Sequence, residues 1–348
     1  MYKKALILLS SKTWLSYLLA LCCAVLAGCS KAPSNTYQTY TERLSNTLET
    51  QAPSLSKPAP ISPLLPPNTL SEGSTISLIE LASLSHCKLS LLISEHNNQL
   101  GKTAGHASIL KYQIQFVQNA QQCLGTLEPS SNVYKTLSNA KVHKEQTLNH
   151  YFNSMLYNEF ELKNTWQASS AELAVSPAGF SDTVAAMQQL ALIKKHIINK
   201  HYLKINSADI FNALEQLNKY RFNQLLIYST RLQIAFNNSA TQFIQTQSID
   251  EICPVGKNKK VATIISNVFQ KYFLREIQPY QANLAGYLET LLPLYNQLWF
   301  DQPITNNQIN TLIALDSQNN LLNQLKSSAK KHVTWWQNFY KTCEISPI

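Results

Sequence analysis

A short run of polar side chains between Glu95 and Lys102 brings together groups that could do chemistry. It holds a carboxylate on Glu95, an imidazole on His96, amides on Asn97 and Asn98, and an ammonium on Lys102. Such a group could bind a polar head group or a peptide end, and Glu95 or His96 could serve an enzyme as acid or base. The alternative is a helix terminator, in which the amides and Lys102 satisfy the last carbonyls of the preceding helix.

The other candidate chemistry of the chain is weak. His196 and His201 are five residues apart, whereas two ligands on one face of a zinc-binding helix are four apart. His143 and His150 share a helix face, but no acidic residue lies between them at ligand spacing. The sequence contains no GxSxG and no HExxH motif, so a serine hydrolase elbow and a zincin site are not expected. We therefore predict a non-enzymatic protein with no metal and no cofactor.

The seven cysteines divide into two sets. Three lie in or beside an apolar N-terminal segment. The other four lie further along the chain: Cys87, Cys123, Cys253 and Cys343. An even number of cysteines in an oxidising compartment predicts two disulfides, with free buried thiols as the alternative. No CxxC occurs, so neither a thioredoxin-like site nor a zinc ribbon is indicated.

The N-terminal residues are typical of an export signal. Three lysines precede an apolar run of 13 residues, 14–26, which is shorter than the roughly 20 needed to span a bilayer. The run ends in Leu-Ala-Gly-Cys, which resembles the lipobox of bacterial lipoproteins. That resemblance implies cleavage between Gly28 and Cys29 and diacylation of Cys29, so that two or three acyl chains anchor the protein stably. An ordinary signal peptide with a chance cysteine is the alternative.

The residues after Cys29 and the net charge indicate where the protein resides. Ser30 follows the cysteine, whereas an Asp there commonly retains such lipoproteins at the inner membrane. We expect the periplasmic side of the outer membrane, with the periplasmic face of the inner membrane as the alternative. The formal charge of +9 falls to about +6 without the signal. Outside the cytoplasm this charge favours lipid phosphates or acidic proteins as partners, not nucleic acid.

The chain divides into three parts. Residues 1–28 form the signal peptide, 29–70 the lipidated cysteine with a tether and a Pro-rich spacer, and 71–348 a helical domain. Residues 52–67 hold six of the 14 prolines, which excludes a helix there and predicts either an extended spacer or a strap across the body. Only 8 glycines occur in 348 residues, which argues against a β-sandwich and against Gly-rich nucleotide loops.

The apolar periodicity after residue 71 predicts an all-α fold, a bundle of long antiparallel helices. Ser77 and Glu80 form a capping box that would open a helix running to about Leu100. A helix with a clean apolar stripe follows it. Later helices are predicted at 134–166, 182–203, 208–246, 259–300 and 306–343. The helix over 259–300 is expected to bend or break at its two prolines, Pro279 and Pro293.

Helix geometry favours one pairing of the four later cysteines. Cys87 lies 13 residues before the end of its helix and Cys123 lies 15 residues after the start of the next. The two are therefore nearly level across an antiparallel hairpin. Cys343 falls on the apolar stripe of the last helix, where it can hold the loop of Cys253. We predict Cys87–Cys123 and Cys253–Cys343.

Lysines cluster at three places. They are Lys194 with Lys195; Lys257 with Lys259 and Lys260; and Lys326 with Lys330 and Lys331. We interpret these clusters as solvated helix faces, with a membrane-facing patch as the alternative.

Four segments carry a resemblance to a known family. They are Leu84-Ser85-His86-Cys87-Lys88-Leu89, residues 92–102 around Asn97 and Gly101, Cys253-Pro254, and residues 267–280 from Asn267 to Tyr280. Together they are similar to the signature of domain-of-unknown-function family 3080, a family of bacterial lipoproteins with no assigned activity. The resemblance implies a lipoprotein and assigns no catalytic residue.

These observations lead to an expectation of function. We expect a lipid-anchored, non-enzymatic adaptor or accessory protein of the cell envelope, whose partners are the membrane through its acyl chains and envelope proteins or lipid. The alternatives are a carrier of a lipid or small apolar ligand and, less favoured, an envelope hydrolase.

Overall fold

A computed structural model describes residues 32–70, 82–98, 103–256 and 258–346. The all-helical prediction is confirmed, because these residues form α-helices, short 3-10 turns and one π-helical segment, and no strand. No described helix combines the length and apolar character that crossing a bilayer requires. The predicted signal peptide, Cys29, the capping box and Lys102 lie outside the described residues.

The α-helices are numbered in chain order. They are α1 Pro33–Thr47, α2 Lys88–Asn97, α3 His106–Leu124, α4 Asn132–Asn158, α5 Phe160–Lys163, α6 Phe180–Ile198, α7 Asp209–Tyr220, α8 Phe222–Gln245, α9 Ile249–Ile252, α10 Lys260–Val268, α11 Gln278–Trp299, α12 Asn307–Ile313 and α13 Leu321–Cys343. The π segment, Phe269–Ile277, joins α10 to α11.

Both predicted disulfides are confirmed. Cys87–Cys123 joins the residue before α2 to the last turn of α3, with Cα atoms 5.8 Å apart. Cys253–Cys343 joins the residue after α9 to the end of α13, with Cα atoms 5.6 Å apart. The predicted long helix before Leu100 differs from the structure, since residues 84–87 form a turn and Cys87 is the N-cap of α2.

Buried apolar side chains form two large clusters and a small one around Cys123. The first large cluster is built mainly by α3, α4, α6, α7 and α11. The second is built by α1, α10, the π segment and the C-terminal part of α13. Helices α8 and α13 each contribute to both clusters, so these two continuous helices hold the clusters together.

The first helix differs from the tether that the sequence predicts. Residues 33–47 form α1, and its side chains Tyr37, Tyr40 and Leu44 are fully buried in the second cluster. Their i, i+3, i+7 spacing places them on one stripe. The sequence shows this helical pattern, but not the partners in the C-terminal half of the chain that bury it.

The Pro-rich segment is a strap against the body. Leu64 is buried in the first cluster, and the backbone N–H of Leu65 donates to the carbonyl of Ile304 at 2.8 Å. Arg231 donates to a carbonyl of the strap at 2.7 Å. Of the two alternatives for residues 52–67, the extended spacer and the strap, the structure has the strap.

Three long predicted helices are built differently from expectation. The helix over 208–246 is split at Arg221, whose φ of 49° is left-handed. The helix over 306–343 is interrupted between α12 and α13. The helix over 259–300 does not break at either proline. The π segment precedes Pro279, where the N–H of Gln278 donates five residues back to Phe273, and Pro293 lies inside α11. At Pro279 the wider π turn moves the backbone carbonyl that the proline ring would strike.

Candidate functional site

Glu95, His96 and Asn97 lie in the last turn of α2, and Asn98 follows it as the C-cap. Glu95, Asn97 and Asn98 are exposed, whereas His96 is half-buried. The imidazole of His96 stacks on the ring of Tyr112 from α3, with centroids 3.6 Å apart and planes within 9° of parallel. The structure therefore joins His96 to α3 and leaves the other three on the outer side of α2.

Lys144 of α4 also packs against these rings. Its ammonium lies 5.1 Å from the ring centroid of Tyr112 and 4.7 Å from that of Phe116. It also donates to Gln113 Oε1 at 2.7 Å, and no ion pair joins it to a described carboxylate. Burial lowers the pKa of Lys144 to about 8. Burial, and then the charge of Lys144, lower the pKa of His96.

The stack of His96, Tyr112 and Lys144 can attract an anionic or polar group, since Lys144 is a cation held by rings and an amide instead of a carboxylate. The imidazole of His96 is stacked on the ring of Tyr112, and no hydrogen bond of His96 to a carboxylate occurs among the described contacts. The sequence does contain a signal for Lys144, because this residue occupies one position of the apolar stripe of α4, between Ala140 and Leu148.

One group of potential metal ligands occurs among the described residues. It consists of His86, Cys87 and Cys123, whose ligand atoms lie within 4.8 Å of one another. The two sulfur atoms are bonded to each other, so His86 is the single free ligand while the disulfide is intact. His86 Nε2 lies 3.2 Å from the hydroxyl of Thr126.

A directional chain of hydrogen bonds crosses the second cluster. Trp336 Nε1, which can only donate, lies 3.1 Å from Tyr40 OH. His332 contacts Tyr40 OH through Nε2 at 2.8 Å and Thr241 Oγ1 through Nδ1 at 3.1 Å. The hydroxyl of Thr241 donates its hydrogen bond to the carbonyl of Asn237 at 2.6 Å. Its oxygen therefore accepts from His332 Nδ1–H. His332 is therefore assigned as neutral, with Nε2 accepting from Tyr40.

A second buried network holds the other tyrosine of α1. Tyr37 OH donates to Asn237 Oδ1. Gln281 Nε2 of α11 donates to the same oxygen and to Gln233 Oε1 of α8, both at 3.0 Å. These groups are almost completely shielded from solvent. The networks therefore fix the helices relative to one another and do not offer a surface to a ligand.

We expect the buried His332 to make the folded state sensitive to acid. Burial lowers its pKa to about 3, against about 6.5 in an unfolded chain. Between these values the unfolded state binds a proton that the folded state excludes. The stability that neutral His332 provides is thus complete above pH 6.5 and lost as the pH falls towards 3, by about 2–3 kcal/mol between pH 6.5 and 4.5.

Urea unfolding at several pH values checks this expectation. His332→Gln should remove about 2–3 kcal/mol of the loss between pH 6.5 and 4.5, whereas His201→Gln, at an exposed position, should keep it. An unchanged pH slope in His332→Gln contradicts the assignment of a neutral buried histidine.

Lys194 corrects the interpretation of the lysine clusters as solvated faces. Its side chain is 3% exposed, and its ammonium donates to the carbonyls of Gln297 at 3.0 Å and Leu298 at 2.7 Å. These carbonyls belong to the last turn of α11, where a positive charge is favoured. Its neighbour Lys195 is exposed, so only one of the pair faces solvent.

The fold and these contacts define a helical protein with two disulfides, in which the first described helix, α1, is packed in the core. The chain matches the profile of the family described as protein of unknown function (DUF3080) over residues 37–347. The match covers nearly the whole chain, and the chain belongs to this family. No curated protein matches the chain, and no solved structure matches it.

Proposed function

We propose that the protein is a lipid-anchored, non-enzymatic adaptor or accessory protein of the cell envelope, held on the periplasmic side of the outer membrane. The lipobox-like residues before Cys29 support the anchor. One structural observation adds to them: α1 begins at Pro33 and its rings are buried. No long spacer therefore separates Cys29 from the folded body.

The distance between anchor and body follows from chain geometry. Ala32 is the first described residue, three peptide units after Cys29, and three units span at most about 11 Å. The backbone N–H of Ser34 donates to the carboxylate of Glu172 at 3.0 Å, which fixes the start of α1 to the body. An acylated Cys29 would hold this side of the protein close to the membrane surface.

The anchor is tested by replacing Cys29 with Ser. We expect the unchanged protein to incorporate labelled palmitate and to sediment with the outer membrane, because two or more acyl chains anchor stably. Cys29→Ser should lose the label and leave the outer-membrane fraction. Cys87→Ser with Cys123→Ser is the matched cysteine control and should keep both. Labelling that persists in Cys29→Ser contradicts a lipid anchor at this residue.

The adaptor role is tested by crosslinking in cells. Photo-reactive residues at exposed positions on separate helices should give one reproducible partner from neighbouring positions and none from the opposite face. Crosslinking that yields no reproducible partner from any face contradicts the adaptor role.

A second candidate function, a carrier of an apolar ligand, is supported by one groove. A cleft of about 530 Å³ lies between α11 and α13, within the size range of small-molecule sites. Its walls include Ala282, Ala285, Ala329 and Val333, with Lys330 among the lining residues. Native mass spectrometry of the purified protein distinguishes the two functions. A discrete added mass that organic solvent releases supports the carrier, and a bare chain contradicts it.

A further inference from the structure

The turn that follows α6 presents an unusual surface. α6 ends in a Schellman-type cap, in which His201 N–H donates to the carbonyl of His196 at 2.8 Å and Lys200 N–H to that of Ile197 at 3.1 Å. Lys200 has a φ of 57°, a left-handed position that glycine usually takes. The cap turns the chain sharply at Lys200, and residues on either side of the turn are exposed to solvent.

Two aliphatic side chains on this turn face solvent. Ile198 is 59% exposed and Leu203 is 68% exposed. The backbone around Leu203 is held in place, since Gln118 of α3 donates to the carbonyls of Tyr202 and Ile205, both at 2.8 Å. Leu203 lies in a short 3-10 turn, Tyr202–Lys204. Because Tyr202 and Ile205 are buried, they anchor this turn, and Leu203 points outward.

The same turn is positively charged. Its lysines are Lys195, Lys200 and Lys204, and residues 183–208 contain no acidic side chain. No ion pair joins these lysines to a described carboxylate. Glu145, on the opposite wall of the cleft beside the turn, is paired with Lys141 at 2.7 Å. The pKa of His196 is lowered by burial and then by His201, Lys204 and Lys195, in agreement with a positive local potential.

A cleft of about 480 Å³ lies beside the turn, between it and the α3–α4 hairpin. Val117, Tyr202 and Leu203 give its lining an apolar part, and Lys200 and Lys204 a basic part. Single exposed aliphatic residues are ordinary on protein surfaces. Aliphatic residues on a rigid turn among uncompensated lysines are the combination that interfacial membrane binding uses.

We propose that this basic turn, residues 195–204, docks on an anionic phospholipid surface, with its lysines against lipid phosphates and Ile198 and Leu203 in the outer acyl region. This contact is separate from the acyl anchor, because it uses side chains of the folded body. It goes beyond the proposed function by assigning a membrane-binding face.

Vesicle sedimentation tests the proposal with a chain of residues 30–348, which carries no acyl group and contains every described helix. We expect binding to vesicles of phosphatidylglycerol and phosphatidylethanolamine, and little binding to phosphatidylcholine vesicles. Lys200→Gln with Lys204→Gln should weaken binding about 25-fold, at about fivefold for each lysine. Leu203→Ser should weaken it about three- to tenfold, and binding should fall in high salt.

The controls distinguish binding through this face from binding through the general charge or hydrophobicity of the protein. Lys271→Gln with Lys341→Gln removes the same charge from exposed positions of the π segment and α13, and Leu91→Ser removes a leucine that is 63% exposed. Both should bind vesicles as the unchanged chain does. Failure of the unchanged chain to bind anionic vesicles, or equal losses in the control variants, overturns the proposal. Since no acyl chain is present, either result leaves the test of Cys29 independent.

Discussion

Replacing Cys253 and Cys343 together by Ala should lower the free energy of unfolding by about 4 kcal/mol. The bridge joins residues 90 apart in the sequence, and the chain-entropy account gives about 4–5 kcal/mol for a loop of this length. Both cysteines are more than nine-tenths buried beside the aromatic side chains of the second cluster. Their removal therefore also frees the end of α13 against which α1 packs. Urea unfolding under non-reducing conditions measures the difference.

The second disulfide is the matched comparison. Cys87–Cys123 closes a shorter loop, with a separation of 36 residues, so replacing that pair by Ala should cost about 1 kcal/mol less. It also lies in the small cluster around Cys123, whereas Cys253–Cys343 lies within the second large cluster. Reductant added to the unchanged protein should lower its melting temperature towards that of the variant lacking both bridges. An unchanged melting temperature in reductant would show that neither bridge stabilises the fold.

Tyr40→Ala should destabilise the protein by about 3–5 kcal/mol, the range for removing a buried aromatic side chain. The ring is fully buried against Phe273 and His332, so truncation leaves a cavity. It also removes the group that joins Trp336 Nε1 to His332 Nε2. If residues 33–47 were a tether free of the body, the same change would cost nothing measurable.

Two controls in the same experiment divide this effect into its parts. Tyr40→Phe keeps the ring and should cost about 1–2 kcal/mol for the lost hydroxyl contacts. Gln38→Ala changes an exposed residue of the same helix whose side-chain amide donates to Glu42 at 2.9 Å, and should cost less than about 0.5 kcal/mol. Equal stabilities of Tyr40→Ala and Gln38→Ala contradict the packing of α1 described above.

The disulfides could be predicted because helical periodicity carries the needed information. The stripe that includes Leu325, Trp336 and Cys343 places the last cysteine on the buried face of α13, and the structure agrees. Level positions across a hairpin likewise gave the Cys87–Cys123 pair, although Cys87 caps its helix instead of lying within it. Local spacing therefore placed Cys343 on a buried face, whereas the Cys87–Cys123 pair is confirmed although the helix on which it was counted begins only at Lys88.

The polar groups inside the body could not be predicted in the same way. Lys144, Lys194 and His332 each occupy a position on or beside an apolar stripe, where a polar residue looks like a break in the pattern. Each is accommodated by a partner from a distant part of the chain: aromatic rings and Gln113 for Lys144, the end of α11 for Lys194, and Tyr40 for His332. Such partners depend on the tertiary fold, which periodicity alone does not give.

The candidate site was predicted only in part. The turn at Glu95 was identified from residue types, but the neighbours of His96, which are Tyr112 and Lys144, come from two other helices. The helix breaks were missed for a related reason. Arg221 takes a left-handed conformation although it is not a glycine, so the sequence does not mark the break. The π segment accommodates Pro279 without ending the helix.

The packing of α1 sets the order in which a chain that emerges N-terminus first can complete its fold. Tyr40 and His332 are 292 residues apart, so α1 emerges long before all of its packing partners exist, whether from the ribosome or in the proposed export. Tyr37 can pack against Phe236 and Phe273 once α8 and the π segment have emerged, but the second cluster closes over Tyr40 only after α13 supplies His332 and Trp336. Contacts of such long range slow folding and prolong the exposure of apolar surface. The last described helix, α13, thus completes the packing of the first described helix, α1.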